Sequence, residues 1–426
     1  MEKYMSRCSN KFIAYMPDGA TSIDTNPIYT NGITPNPIPQ ITSVFSHDYL
    51  IARRCFFFDL MPFDGAPPCD EQTQPVGMDA SVFRAILLRR YEMADGAFGQ
   101  FIGFAPWHLK YSNWNGGFNK YEPIDLEWAV AQLVTAYNLA KEADAAHPCW
   151  VSNASAYYKS PIRENYAGNK LPAAAKVFDP NTVYILMYLG DYDSSAWMKA
   201  QVPRMWQDPY KDSAPNAWAF DPNLIERIPM AFDYVYENLG PTDYFVAGDA
   251  GAGYVVPYNL FESGMRPRAD ATQKWMEYNR PYLSRMGLDI CGFITNGGQL
   301  IDKKIMALYS KMFPAGNLHS EGNGSLEVYD GVAFVHFSDG LAASVIEDPD
   351  RLAKVMYVHI KTGMRKYNFA AFGTVCITPT DNKAIREAFL AFAKKTDLRT
   401  TYEFVDPYTF FDLIRQSGQG VRVPLD

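Results

Sequence analysis

Carboxylates dominate the residues that could do chemistry. Asp191-Tyr192-Asp193 sets two acids two residues apart, directly after the apolar run Val183–Leu189. Acids so spaced could serve as a catalytic carboxylate and its orienting partner, or could hold a divalent cation as in a nucleotide-sugar transferase. Further along come Asp221, Gly248-Asp249, Thr295-Asn296, His319-Ser320-Glu321, Ser338-Asp339, Thr378 and Asp406, each at the end of an apolar run. Glycoside hydrolysis needs carboxyls gathered in this way. One must stay protonated to release the leaving group, while a partner attacks the anomeric carbon or activates water. Each Asp also has a purely structural use, because Asp caps helix N-termini. Spacing alone carries little, since Glu142/Asp144 and Asp348/Asp350 repeat it on expected surfaces. Position gives Asp191 and Asp193 their weight.

The sharpest local signal is Asp249-Ala250-Gly251-Ala252-Gly253-Tyr254-Val255-Val256-Pro257. Its two glycines permit positive φ and close backbone approach, and Tyr254 is expected to project from a loop stiffened by Pro257. It is not a phosphate cradle, because Val256 stands where G-x-G-x-x-G needs glycine. No G-x-S-x-G elbow, H-E-x-x-H or paired Cys/His zinc spacing occurs, and neither a metal nor another cofactor is expected. The histidines (His47, His108, His147, His319, His336, His359) are scattered. His336, inside an apolar run, reads as a satisfied core residue, and His319 beside Glu321 as a site candidate.

The elements that must position these residues follow from periodicity. The chain has 426 residues, 48% of them hydrophobic, which suits two or three domains with substantial cores. Residues 1–50, rich in Asn-Pro and Thr-Pro turns from residue 21, read as an extended N-terminal segment. Residues 51–175 read as a smaller α/β domain with strands at Cys55–Phe58, Phe101–Phe104 and Cys149–Val151. Helices are expected around Val82–Ala94 and after Asp125. Residues 176–426 alternate through eight expected strands: Val183–Leu189, Ala217–Phe220, Tyr244–Ala247, Asp289–Thr295, Gly316–Leu318, Val332–Phe337, Phe369–Ile377 and Tyr402–Val405. That is an α/β chain whose C-terminal domain is a TIM-like (β/α)8 barrel. No helix is evident between Leu318 and Val332. In such a barrel the reacting groups collect where strands end.

Composition excludes several partners. Lys+Arg 39 against Asp+Glu 47 gives a net charge of −8, without the basic cluster that a polyanion needs, so no nucleic-acid partner is expected. No apolar run reaches the roughly 18 to 20 residues of a membrane span. Met1–Ser6 lacks an apolar signal region, so the chain as written reads as cytoplasmic, and a trimmed secreted protein would look the same. The cysteines (Cys8, Cys55, Cys69, Cys149, Cys291, Cys376) show no C-x-x-C and need no disulfide framework. With Trp 8, Tyr 28 and Phe 27, aromatics make up 15% of the chain, which suits both a large core and sugar-stacking platforms.

Gly251-x-Gly253-Tyr254-x-x-Pro257 resembles the signature of the GxGYxYP putative glycoside hydrolase family. Phe58-Asp59-Leu60, Gly103-Phe104-Ala105-Pro106-Trp107 with Lys110-Tyr111, and Ser152-Asn153-Ala154-Ser155 resemble motifs of its N-terminal portion. Gly190-Asp191-Tyr192-Asp193 and Pro407-Tyr408-Thr409-Phe410-Phe411 resemble later ones, so the likeness runs from about residue 50 to 416. It implies a barrel after a smaller α/β region and a role in glycan degradation. Val256 departs from the family's Tyr, which would remove a stacking ring, and Tyr192 replaces a Gly between the two acids.

The expected function is therefore a glycoside hydrolase acting on a poly- or oligosaccharide. Asp191 and Asp193 form the expected carboxylate centre, with Asp249 and Glu321 as complementary acids. Trp107, Trp197 and Tyr254 are expected as sugar platforms, and Lys110, Asn153, Asn296 and His319 as further substrate contacts. The alternatives are a catalytically silent glycan-binding protein on the same fold, and a metal-dependent transferase or deacetylase using Asp191 and Asp193. Sugar specificity, catalytic outcome and oligomeric state stay open.

Overall fold

A computed structural model describes residues 1–15, 47–63, 75–103, 127–142, 155–166, 176–192, 195–261, 270–322, 324–341, 348–362, 367–375 and 377–425. Side chains of a few residues within helices and strands, Asp191, Tyr192, Trp197 and Asp339 among them, lie outside the description.

The chain begins with α1 (Glu2–Met5), β1 (Phe12–Tyr15), α2 (His47–Ala52), β2 (Phe56–Phe58), α3 (Met78–Met93), β3 (Gly99–Ile102), α4 (Glu127–Thr135), β4 (Leu139–Glu142) and α5 (Ser155–Tyr158). The four strands form a parallel sheet in the order β2-β1-β3-β4. Successive residues of a strand face opposite sides, and both sides are covered. Ile13, Tyr15 and Phe101 pack with Phe83, Leu87, Val130 and Val134 of α3 and α4. Phe12, Ala14 and Ile102 pack with Tyr49 and Leu50 of α2.

β1 departs from the expectation of an extended segment over residues 1–50, because it is an inner strand of this sheet. Covered on both faces, it shows four consecutive buried residues and no alternation to read. The expected strand at Cys149–Val151 lies outside the described residues. The edge strand described here, β4, falls earlier in the chain.

The second part comprises β5 (Thr182–Tyr192), α6 (Ser195–Trp206), β6 (Asn216–Phe220), a 3-10 turn over Pro222–Glu226, α7 (Pro229–Glu237), β7 (Asp243–Ala247), α8 (Tyr258–Phe261), α9 (Ala271–Met286), β8 (Ile290–Ile294), α10 (Lys303–Met312) and β9 (Gly316–His319). It continues with β10 (Leu326–Tyr329), β11 (Val332–Leu341), α11 (Pro349–Thr362), β12 (Phe369–Val375), α12 (Pro379–Thr396), β13 (Thr401–Phe404), α13 (Pro407–Ser417) and β14 (Val421–Arg422).

Strands β5-β6-β7-β8-β9-β11-β12 pair in parallel, and β12 pairs again with β5, closing a seven-stranded barrel. Tyr184, Leu186, Tyr188, Ala217, Ala219, Val246, Leu318, Val335 and Phe337 fill its interior. The alternate residues Ile185, Met187, Trp218, Phe220, Phe245 and Phe334 face the outer helices. The α/β class and the barrel after a smaller α/β sheet thus stand as expected. All eight expected barrel strands are present, but β13 lies outside the closed ring. It takes the lower part of one β5 edge (Thr182–Ile185), while β6 takes the upper part (Tyr188–Tyr192).

β13 leads into α13, whose Tyr408, Phe410, Phe411, Leu413 and Ile414 join the interior cluster. Phe411 lies over Gly316 at the start of β9, and Phe410 packs edge-on to Phe369 at the start of β12, 5.6 Å between centroids. α13 therefore plugs the barrel end opposite the strand termini. Where no helix was expected before Val332, an antiparallel hairpin joins β10 to β11 through Asp330-Gly331, both at positive φ, as a tight two-residue turn requires. Among the described residues no helix is long and apolar enough to cross a membrane.

Candidate active site

The motif after β7 sits between the two sheets. Lys141 of β4 and Tyr254 exchange backbone hydrogen bonds, Lys141 N–H to Tyr254 O at 2.8 Å and Tyr254 N–H to Lys141 O at 3.1 Å. The motif thereby adds a rung to the edge of the N-terminal sheet. Both glycines are required by this approach. Gly253 has φ 122°, and a Cβ there would stand 2.7 Å from Ala140 Cβ and 2.9 Å from Glu142 Oε1. Gly251 has φ 133°, and its Cβ would stand 2.5 Å from Asn279 Oδ1, the atom that accepts from Ala252 N–H at 2.7 Å. Val256 N–H donates to Thr135 Oγ1 at 3.1 Å, at the end of α4. The Tyr254 ring is buried with Ala131 and Val256, 5.6 Å from Lys141 Nζ. It is a joint residue, not the projecting sugar platform that the sequence suggested.

Beneath the joint lies a buried polar network. Glu142, expected at a surface, has a side chain 0% exposed and pairs with the equally buried Arg227, Oε2 to Nη2 at 2.9 Å. A charge in a closed interior persists only when paired and hydrogen-bonded, and here each charge meets its opposite. Arg227 also donates to Gln100 Oε1 at 2.8 Å and to Asn223 Oδ1 at 3.0 Å. Gln100 Nε2 donates to Tyr278 Oη at 2.9 Å. The Asn223 amide donates to Glu142 Oε1, to Asp221 Oδ2 at 3.0 Å and to Ala252 O at 3.1 Å. Asp221, the residue after β6, also caps the 3-10 turn through Asn223 N–H, so the structural use anticipated for Asp holds there. Its carboxyl is held well above the usual carboxylate range, by burial first and then by the charges of Glu142 and Asp249, against the Asn223 N–H and Arg227.

Asp249 follows β7 with φ 48°, left-handed for a residue with a side chain. Asp tolerates that region better than most residues, and Asp95 and Asp330 adopt it here too. It is 9% exposed, against 1% for Asp221. Tyr192, Phe220 and Ala247 stand in register across β5, β6 and β7, with a bulge between Leu189 and Tyr192. Asp191, Asp221 and Asp249 therefore belong to three consecutive strand ends.

The remaining expected residues scatter. Glu321 accepts from Asn296 N–H at 2.6 Å and Gly298 N–H at 3.3 Å, tying down the loop after β8. Asn296 is fully buried. Its Oδ1 accepts from Tyr258 N–H at 2.7 Å, and its amide donates to Gln299 O and Leu300 O, so its bonding capacity is spent on backbone. His319 follows the interior residue Leu318 and is in register with His336, which lies between the interior residues Val335 and Phe337. Alternation puts both rings on the outer, helix-facing side of the wall, away from the mouth. Burial and the neighbouring His336 lower the His319 pKa to about 3, so its ring is neutral. His336, half-buried, accepts from Gly324 N–H at 3.1 Å and is satisfied as expected. Asp193, Trp107, Lys110 and Asn153 lie outside the described residues. Asp191 and Trp197 are described in backbone only. Among the described residues no group of three or more His, Cys, Asp or Glu is placed to hold a metal ion.

Sequence reasoning missed Glu142, Gln100, Asn223, Arg227 and Tyr278. The available signal was Asp221-Pro222-Asn223 followed four residues later by Arg227, polar groups at helical spacing inside an otherwise apolar stretch.

Fold and mouth together define a parallel α/β barrel protein with carboxyls at its strand ends. The chain belongs to the GxGYxYP putative glycoside hydrolase family, whose C-terminal domain matches residues 181–415. A solved structure of a putative hydrolase from Bacteroides thetaiotaomicron is similar over 97% of this chain and 68% of that one, at 15% identity and a TM-score of 0.64, which shows a shared fold. A putative polysaccharide deacetylase from Mycobacterium smegmatis aligns over 60% of this chain and 99% of its own at 11% identity, with a TM-score of 0.38. No curated protein matches the sequence.

Proposed function

We propose that the chain hydrolyses a glycosidic bond of a poly- or oligosaccharide at the barrel mouth, with Asp249 and Asp191 as the reacting carboxylates. Asp221, on the strand between them, is too enclosed to touch substrate and keeps its proton beside Asp249. The observation that carries this reading is Asp249 itself. It is the more accessible of two neighbouring carboxyls, in a left-handed conformation at a strand end, with the GxGY joint immediately after it. In the reaction one of the two, Asp249 or Asp191, gives a proton to the glycosidic oxygen as the C–O bond breaks, and the other acts in its ionised form. The ionised group attacks the anomeric carbon or takes a proton from the attacking water.

The test is release of reducing ends from a panel of neutral polysaccharides and aryl glycosides. Asp249→Asn and Asp191→Asn should each lower kcat by about 10²–10⁴-fold, the usual contribution of acid–base groups. Undiminished turnover in both variants, or no release from any substrate by the wild type, overturns the proposal. In the second case binding of the same glycans without turnover would favour a silent glycan-binding protein.

A further inference from the structure

The polar network crosses from one sheet to the other at Asn223 and Arg227. Asn223 Nδ2, on the barrel side, lies within hydrogen-bonding distance of Glu142 from the N-terminal sheet and of Asp221 at the end of β6. Two carboxyls that share one donor in a dry interior cannot both ionise cheaply. Arg227 is the cation of the cluster, and its Nη2 is committed to Glu142 at 2.9 Å. Glu142 thus keeps its charge and leaves the proton to Asp221.

We infer that the N-terminal sheet completes the acid centre of the barrel, with Glu142 as a positioning residue that fixes the Asp221 carboxyl through Asn223 and Arg227. This rests on reading the barrel mouth as an acid–base site. Among the described residues, each element packed against Asp221 enters the balance. β4 brings Glu142, the loop after β7 brings Asp249, the segment after the 3-10 turn brings Arg227, and α9 brings Tyr278, linked through Gln100. Glu226 stands further off, accepting from Tyr49 and Tyr282. Gly253 lies against Ala140, Glu142 and Asn223, so the joint and the acid centre form one packed unit. The smaller sheet then acts as part of the site, and its removal would change the protonation of a group in the other domain.

Infrared difference spectroscopy on the full chain tests this without any substrate. Subtracting the spectrum of Asp221→Asn from the wild type isolates the carbonyl stretch of protonated Asp221, and its loss with rising pH gives a midpoint. In Glu142→Gln that midpoint should fall by about one to three pH units, the range that one like charge at close quarters commands. Glu142→Asp, which keeps the charge, should restore it most of the way. If Glu142→Gln does not fold because Arg227 is stranded, the double variant Glu142→Gln/Arg227→Gln removes both charges. Its midpoint should fall by less than in the single variant but still lie below the wild type, since Glu142 meets the same Asn223 nitrogen as Asp221 while Arg227 meets the oxygen side of that amide. A midpoint unmoved in the folded variant, or no protonated band for wild-type Asp221 above the ordinary carboxyl range, overturns the inference. Failure of the glycan panel with the infrared shift intact would remove the hydrolase reading and leave the coupling standing.

Discussion

Gly253→Ala should be among the most damaging single methyl additions in the chain. At φ 122° the backbone lies outside even the small left-handed region open to residues with a Cβ, a strain of about 1–3 kcal/mol. The added carbon also meets Ala140 Cβ at 2.7 Å and Glu142 Oε1 at 2.9 Å. Neither can retreat, because β4 is held by β3 on one edge and by the motif on the other. Overpacking of that kind costs about 1–3 kcal/mol more, so the expected loss is about 4 kcal/mol. Gly287→Ala is the control. Gly287 caps α9 at φ 63°, and a methyl added there would meet nothing within 4 Å, so only the left-handed penalty of about 1–2 kcal/mol applies. Urea unfolding followed by tryptophan fluorescence and far-ultraviolet circular dichroism measures both variants. If Gly253→Ala loses no more stability than Gly287→Ala, close approach of the two sheets is not what the glycine serves.

Two further outcomes follow from burial. His319 has a folded pKa of about 3, below the roughly 6.5 of an unfolded chain. The unfolded state takes up the proton first, and stability falls as pH drops through that window at up to about 1.4 kcal/mol per pH unit. His319→Leu should therefore lose urea resistance less steeply between pH 6.5 and 3, and a slope equal to that of the wild type would show that the ring does not titrate this way. Phe411→Ala should cost about 3–5 kcal/mol, because the ring is 1% exposed against Gly316 at the closed end of the barrel. Leu398→Ala, 88% exposed, should leave the midpoint unchanged, and a matching small effect for Phe411 would show that α13 is not a plug.

The barrel was legible because its strands carry a two-sided code. Tyr184, Leu186 and Tyr188 fill the interior while Val183, Ile185 and Met187 meet the helices, and the helices between them repeat at 3.6 residues. The place of the eighth strand was not legible. Thr401–Phe404 has the residues of a strand, but which part of the β5 edge it occupies depends on α13 filling the space below. β4 was hidden for a different reason. Lys141 and Glu142 carry charges, and pattern reading sends charge to the surface. Their burial depends on Arg227 and Tyr254, distant in sequence. The acids at the strand ends were found by type and position, and capping explained part of that signal, as at Asp221 and Asp406.

The same geometry changes the meaning of Val256. Against the family signature, Val in place of Tyr looked like the loss of a sugar-stacking ring. Val256 is 0% exposed, packs with Ala131 of α4 and Tyr254, and uses its backbone N–H on Thr135. A side chain there fills the contact between the motif and α4, so the exchange alters interior packing and leaves the mouth untouched. Gly251, Gly253 and Tyr254 act on the same principle, each chosen by what the N-terminal sheet and α9 allow close to the backbone. The motif's work is to bring a second sheet against the strand ends, and that contact encloses Asp221 together with Glu142, Asn223 and Arg227.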